Sequence, residues 1–310
     1  MTDKIFRFAA VKCPLCASDD FKVLGRKAGG YYMPKDSHEA AQIVRCLNCS
    51  LIYANPMPLP ENDNLVDLYN EDYTKMLSEF VPYRDRGNDF VDIFEGRRRL
   101  ARLEAILGRE GSLLDIGCGP GNLLCVARER GWKAVGLEIN DRSARFARDI
   151  NGVDVVTGQI QDYPAAWAGR FDAVHVNQVV EHTYDPVGFL KAVREVMRSD
   201  GALFCGVPNE DSLVKNIAQL YFKIRMLEFT PMLAPTFAPY HVLGFSSKTI
   251  RLALGKTRFR ILRVEHVNYS SINLESFKEG EVLRGLESIV SVFARLLGHG
   301  HGLDVYAVPA

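Results

Sequence analysis

The stretch SLLDIGCGPGN, residues 112–122, restricts the fold more than any other part of the chain. A short apolar run ends in Asp115, and Gly117, Gly119 and Gly121 then alternate with other residues before the helical pattern NLLCVARERG. Glycines permit a left-handed backbone and let a ligand approach the main chain. A helix that starts there offers unpaired amides and a positive dipole end. Downstream, strand patterns (KAVGLEI, VDVVTG, FDAVHVN, ALFCGVP) alternate with helical ones (DRSARFARDI, PVGFLKAVREVMRSDG). Such repeated strand–helix units imply a doubly wound α/β domain, with a parallel sheet covered on both faces. Its ligand site is expected beyond the C-terminal ends of the strands.

Two details bear on which ligand the turn holds. Glu138 ends the second strand and places a carboxylate where it can accept both hydroxyls of an adenosine ribose. That suits a dinucleotide as well as S-adenosylmethionine. The glycine spacing, however, is G-x-G-x-G and not the G-x-G-x-x-G of a dinucleotide turn. Asp115 beside the turn would also repel a pyrophosphate, whereas it suits the cationic ammonium of a methionine moiety.

LLDIGCGPGN, VGLEIN and FDAVHVNQVVEHTYDP resemble the class I S-adenosylmethionine-dependent methyltransferases over roughly residues 90–270. The resemblance implies a Rossmann-like seven-stranded sheet of order 3-2-1-4-5-7-6 with strand 7 antiparallel, and GLDVYAVPA fits as the final strand. It implies that Asp115, Gly117, Cys118, Gly119 and Gly121 line the methionine and ribose end and that Glu138, followed by Ile139, holds the ribose. It puts Gln159 and Ile160 beside adenine, and Asn177 and Gln178 where the cofactor and acceptor sites meet. Tyr73, on the N-terminal helical segment, is expected to touch the cofactor; Tyr69 and Tyr83 lie on the same segment. The product would be S-adenosylhomocysteine.

Four of the seven cysteines form two C-x-x-C pairs, Cys13/Cys16 and Cys46/Cys49, which can place four thiolates tetrahedrally around structural zinc. CPLC with VRCLNCSLIYANP resembles the zinc-binding N-terminal module of bacterial methyltransferases that act on sugars or secondary metabolites. The organisation read from these patterns is a zinc-binding module over 1–60, a helical connection and cap over 61–108, and the methyltransferase domain over 109–310, with a lid insertion near 209–245.

Methyl transfer from a sulfonium is an in-line displacement in which the protein chiefly aligns the reactants. A hydroxyl acceptor also needs a proton acceptor. His182, beside Glu181 just past the fourth strand, and His241 in APYHVLGFSS are the candidate bases. His175 sits inside a strand pattern and is assigned to the core. Arg97, Arg98 and Arg99 read as a solvated face.

The 38 basic and 38 acidic side chains cancel. A protein that grips a long polyanion carries a basic excess, so RNA is an unfavoured substrate. No apolar run reaches the roughly 18–20 residues of a membrane span, and no secretory leader pattern opens the chain; a cytoplasmic protein is expected. The reading is an O-methyltransferase acting on a small molecule such as a sugar, nucleotide-linked sugar, glycan terminus or natural product. C-methylation of a keto sugar and RNA methylation, with the zinc module as RNA grip, are the alternatives.

Overall fold

The computed structural model describes residues 6–26, 42–60, 81–85, 91–163, 167–224, 241–268 and 299–310. Tyr69, Tyr73, the middle of the expected lid and the helical pattern at 280–298 lie outside these residues.

The larger sheet has seven strands. They are β6 (Ser112–Ile116), β7 (Lys133–Glu138), β8 (Val155–Thr157), β9 (Phe171–Asn177), β10 (Met197–Pro208), β12 (Phe259–Val267) and β13 (Gly302–Pro309). Their spatial order is β12-β13-β10-β9-β6-β7-β8. Only β13 runs antiparallel to both its neighbours. Counted within this sheet, the order is the expected 3-2-1-4-5-7-6.

Period-2 alternation sends side chains to two cores. Leu114, Ile116, Val174 and Val176 pack on one face. On the other, Leu113 and Ala173 meet Leu100 and Leu103 of α1 (Val91–Leu107) and Val126 and Ala127 of α2 (Asn122–Glu129). The expected PVGFLKAVREVMRSDG helix is shorter than its pattern. α4 (Pro186–Val196) is capped by Asp185, which accepts from the Gly188 amide at 2.8 Å. Met197–Asp200 instead extend β10, where Met197 pairs with Phe171 before a register shift.

The face of β6 and β9 toward α1 carries a polar pair. Asp115 and His175 are register partners, and the His175 Nδ1 donates to Asp115 Oδ1 at 2.7 Å. His175 stacks on Phe204 at 4.6 Å, and the Arg99 guanidinium lies 4.7 Å over the same ring. Arg98 and Arg99 both pair with the fully buried Asp304 of β13. The arginines read as a solvated face are therefore split. Arg97 meets Glu129 at the surface, while Arg98 and Arg99 turn toward the sheet. The sequence pattern missed this because the partner carboxylate lies about 200 positions away.

A second sheet has the order β11-β4-β3-β2, formed by β2 (Phe21–Arg26), β3 (Gln42–Cys46), β4 (Ile52–Ala54) and the two-residue β11 (Leu243–Gly244). Beside it, β1 (Phe6–Ala9) pairs with β5 (Met57–Pro60). α5 (Leu213–Ile224) follows β10, and α6 (Ser247–Lys256) follows β11. Ser246 caps α6 through a reciprocal capping box with Thr249, the role its place before SKTIRLALGK suggests.

Asp304→Ala would remove the buried carboxylate that Arg98 and Arg99 share, while Arg98 keeps Glu95 and Glu265. Removing one partner of a buried ion pair costs about 3–5 kcal/mol, so urea unfolding should show a loss of that order, and a loss near zero would contradict the assigned role.

Candidate functional site

The glycine turn closes on itself. Gly117, Gly119 and Gly121 have φ of 71°, 53° and 82°. At Gly117 a side chain would also come within 2.5 Å of Val179, and at Gly121 within 2.7 Å of Val153. The amides are committed within the protein. Gly117 and Cys118 donate to Leu137 O, Gly121 donates to Cys118 O, and Gly119 donates to Glu138 Oε2 at 2.8 Å. Pro120 has no amide hydrogen. The glycine amides of the turn itself are thus not available to a ligand, and the glycine spacing disfavours a dinucleotide.

Glu138 is the hinge of the site. Its second oxygen accepts from the Asn140 amide at 2.8 Å, and Asn140 in turn caps α3 (Asp141–Asp149) through Ser143. Burial pushes its carboxyl above the ordinary range, opposed by the Asn140 and Gly119 amides. Cys118 packs its sulfur toward Gly136 of β7 and is buried.

A cavity of about 260 Å³ opens beyond the strand ends. Of the expected cofactor residues, Gly117, Ile139, Gln159 and Ile160 line it, together with His182. Leu137, Val179, Tyr184 and Phe189 complete its largely apolar wall; these four were not singled out from the sequence. Asp115, Cys118, Gly119, Gly121 and Glu138 do not line it. Asn177 and Gln178 lie at the end of β9, with Gln178 at φ 55°, a backbone region uncommon outside glycine and found at functional sites. Asn177 Oδ1 and Gln178 Nε2 are buried without a hydrogen-bond partner among the described residues.

The structure brings the two candidate bases together. His182 sits in a 3₁₀ turn (Val180–His182), and its ring lies 4.4 Å from that of His241, edge to face. One ligand atom each from Glu181, His182 and His241 lie within 4.8 Å of one another, close enough to hold a cation in common. Glu181 is fully buried, and its oxygens have no hydrogen-bond partner among the described residues. Burial raises its carboxyl to about 8. The sequence placed Glu181 at the pocket but carried no sign of this burial.

The four cysteines also converge. Cys13 and Cys49 sulfurs lie 3.5 Å apart, as do those of Cys16 and Cys46. Four thiolates at ~2.3 Å from one zinc ion would be ~3.8 Å apart, so the set fits a tetrahedral ion after small movements. Each C-x-x-C turn ends on a left-handed residue, Ala17 at φ 59° and Ser50 at φ 75°. Burial raises the Cys13 and Cys49 thiols, the latter to about 11, so metal binding would release protons.

Sheet order, a glycine turn after the first strand, and a buried acid at the end of the second define a Rossmann-like domain. The model of the methyltransferase domain family matches residues 85–264. The chain belongs to that family and carries an S-adenosylmethionine-dependent methyltransferase domain.

Over 114 residues the chain is 34% identical to a ubiquinone biosynthesis O-methyltransferase of Cereibacter sphaeroides, covering 35% of this chain and 46% of that protein. The chain thus spans about half the length of that curated relative. Two solved structures share the fold. One is a SAM-dependent methyltransferase from Archaeoglobus fulgidus, with TM-score 0.50 and 21% identity over 76% of this chain and all of that one. The other is the Burkholderia thailandensis 1,6-didemethyltoxoflavin-N1-methyltransferase with bound 1,6-didemethyltoxoflavin and S-adenosylhomocysteine, with TM-score 0.51 and 16% identity over 91% of this chain and all of that one.

Glu181 supplies a pH prediction. Its folded carboxyl titrates near 8 against ~4.3 unfolded, so the folded state holds the extra proton between those values. Stability should therefore fall as pH rises from about 4.5 to 8 and level off above. In Glu181→Gln this component should vanish; parallel stability profiles for the two proteins across that range would refute the assignment.

Proposed function

We propose that the chain is an S-adenosylmethionine-dependent methyltransferase that methylates an oxygen of a small molecule, such as a sugar, a nucleotide-linked sugar, a glycan terminus or a natural product. The observation that carries this reading is the imidazole pair: His182 lines the cofactor cavity and lies 4.4 Å from His241. The name of the Cereibacter relative, an O-methyltransferase of ubiquinone biosynthesis, supports oxygen as the acceptor atom.

When bound, S-adenosylmethionine supplies an electrophilic methyl group. Glu138 would hold the ribose hydroxyls, and Gln159, Ile160 and Ile139 the adenine face. Asp115, with one oxygen held by His175 Nδ1, would favour the ammonium of the methionine end, and Asn177 and Gln178 would bring unpaired polar atoms to the junction with the acceptor. Either His182 or His241 takes the acceptor's hydroxyl proton as the oxygen attacks. The second ring, and the acid of Glu181, lie close enough to stabilise the imidazolium. The four cysteines would hold structural zinc and complete its coordination, which leaves no open position for a catalytic role.

Two tests follow. Calorimetry should show S-adenosylhomocysteine binding that is weakened roughly tenfold or more in Glu138→Ala, on the scale of lost charge-assisted hydrogen bonds; absence of binding to the wild-type protein would sink the reading. With labelled S-adenosylmethionine and a panel of hydroxylated acceptors, the better acceptors should lose about 10²–10⁴-fold in kcat in His182→Ala or His241→Ala. Transfer with both variants at wild-type rates would leave alignment as the only contribution of the histidines. Metal analysis should find one zinc per chain, lost in Cys13→Ser with Cys49→Ser.

A further inference from the structure

The edge of the cysteine unit and the approach of His241 share one peptide. Ala54, the last residue of β4, donates its amide to Val242 O at 3.1 Å. Val242 donates its own amide to Glu181 O at 3.0 Å. Val242 follows His241 directly and precedes β11, and Glu181 precedes His182. The peptide units around one buried residue therefore tie the cysteine unit on one side to the turn that bears His182 on the other. The register continues the tie: Tyr53 pairs with Val44 of β3 and with Leu243 of β11. Tyr53 is fully buried.

The cysteines set the geometry of that edge. Cys46 ends β3, its amide donates to Leu51 O at 2.9 Å, and its carbonyl accepts from Ser50 at 3.0 Å. The Cys46–Cys49 turn thus dictates where β4 starts. Two lysines of α6 fasten the same seam: Lys248 Nζ donates to Ser50 Oγ at 3.1 Å and Lys256 Nζ donates to Leu15 O at 2.9 Å. Leu15 lies between Cys13 and Cys16. The glycine turn receives none of these bonds; its amides go to β7 and to itself.

We infer that the four-cysteine unit is the positioning device for His241: through β4 and the amide and carbonyl of Val242 it holds that imidazole against His182, while the glycine turn stands without it. Ala54, Tyr53 and Val242 are then positioning residues of the acceptor half. The inference rests on the zinc reading only for the arm of its test that removes metal.

The test uses the full chain as purified and follows hydrogen exchange by mass spectrometry. Chelation of the metal, verified by metal analysis, should raise exchange over 241–246 by roughly tenfold or more, while residues 112–122 stay within about twofold, as separable local openings do. The dissociation constant of S-adenosylhomocysteine should also stay within about threefold. Unchanged protection over 241–246 after metal loss would overturn the inference, as would equal loss of protection in the glycine turn. Ala54→Pro removes the donor to Val242 and leaves every cysteine in place. It should retain its metal, lose protection over 242–246, and move the Cε1–H resonance of His241 away from its wild-type position, whereas Ala54→Gly keeps all three. If Ala54→Pro does not fold, Lys256→Met loosens the same seam without touching the sheet backbone, and the same shift of the His241 resonance is expected in smaller measure; an unmoved resonance counts against the inference. A chain purified without metal would defeat the zinc reading alone and leave the two variants to decide the positioning.

Discussion

The hydrogen bond from the Gly119 amide to Glu138 holds the site together. It spans the ends of β6 and β7, closes the glycine turn, and fixes a carboxylate in a place from which water is excluded. A buried acid without donors would be costly; here two backbone amides meet it at 2.8 Å each. The turn can then adopt three left-handed glycines in five residues, because its own N–H groups have found acceptors within the protein. A phosphate-binding loop of similar sequence keeps those groups for the ligand. The distinction between the two lies in where the amides go, and that is settled by the acid at the end of the neighbouring strand.

Behind the turn, a second polar layer runs through the core from Asp115 to Asp304. Asp115, His175, the Phe204 ring, Arg99 and Asp304 follow one another across β6, β9, β10, α1 and β13. Within it the Arg99 guanidinium lies between the Phe204 ring and the Asp304 carboxylate, so it meets both a π-face and an opposite charge. It joins the strand that carries the glycine turn to the antiparallel strand on the far side of β10.

Much of this was legible in the sequence, and for local reasons. Runs such as LLDI and FDAVHV are too short for helices and too apolar for loops, and the helices carry start signals: Pro186 in the first turn of α4, and a serine before SKTIRLALGK; the Asp185 cap shows only in the structure. The seven-strand order, however, came from family resemblance, since periodicity alone says only that strands and helices alternate. What escaped involves partners distant in sequence. Met197–Asp200 continue a helical pattern but join β10 because Phe171 offers them a ladder. Arg98 and Arg99 read as solvated until Asp304 is seen beneath them. His175 was rightly assigned to the interior, yet its bond to Asp115 depends on a register that no sequence pattern states. The contact of β11 with β4 is two residues long and separated by nearly the whole methyltransferase domain, which is too little for a pattern to reveal. Glu181 stood in view beside His182, but only the packing shows that its carboxyl has been taken out of water.

The place of β13 has a consequence for how the chain reaches this state. Among the described residues it is the hydrogen-bonded link between β10 and β12, and it follows both in sequence. During translation the parallel half of the sheet, from β8 to β10, emerges first and can assemble on its helices. The open edge of β10, with Leu203, Phe204, Cys205 and Val207 along it, then waits for a strand the ribosome has yet to deliver. Unpaired apolar edges of this kind invite pairing with other chains. The nascent protein therefore has a vulnerable interval built into its topology, which ends when residues 302–309 pair with β10 and give β12 its place at the edge.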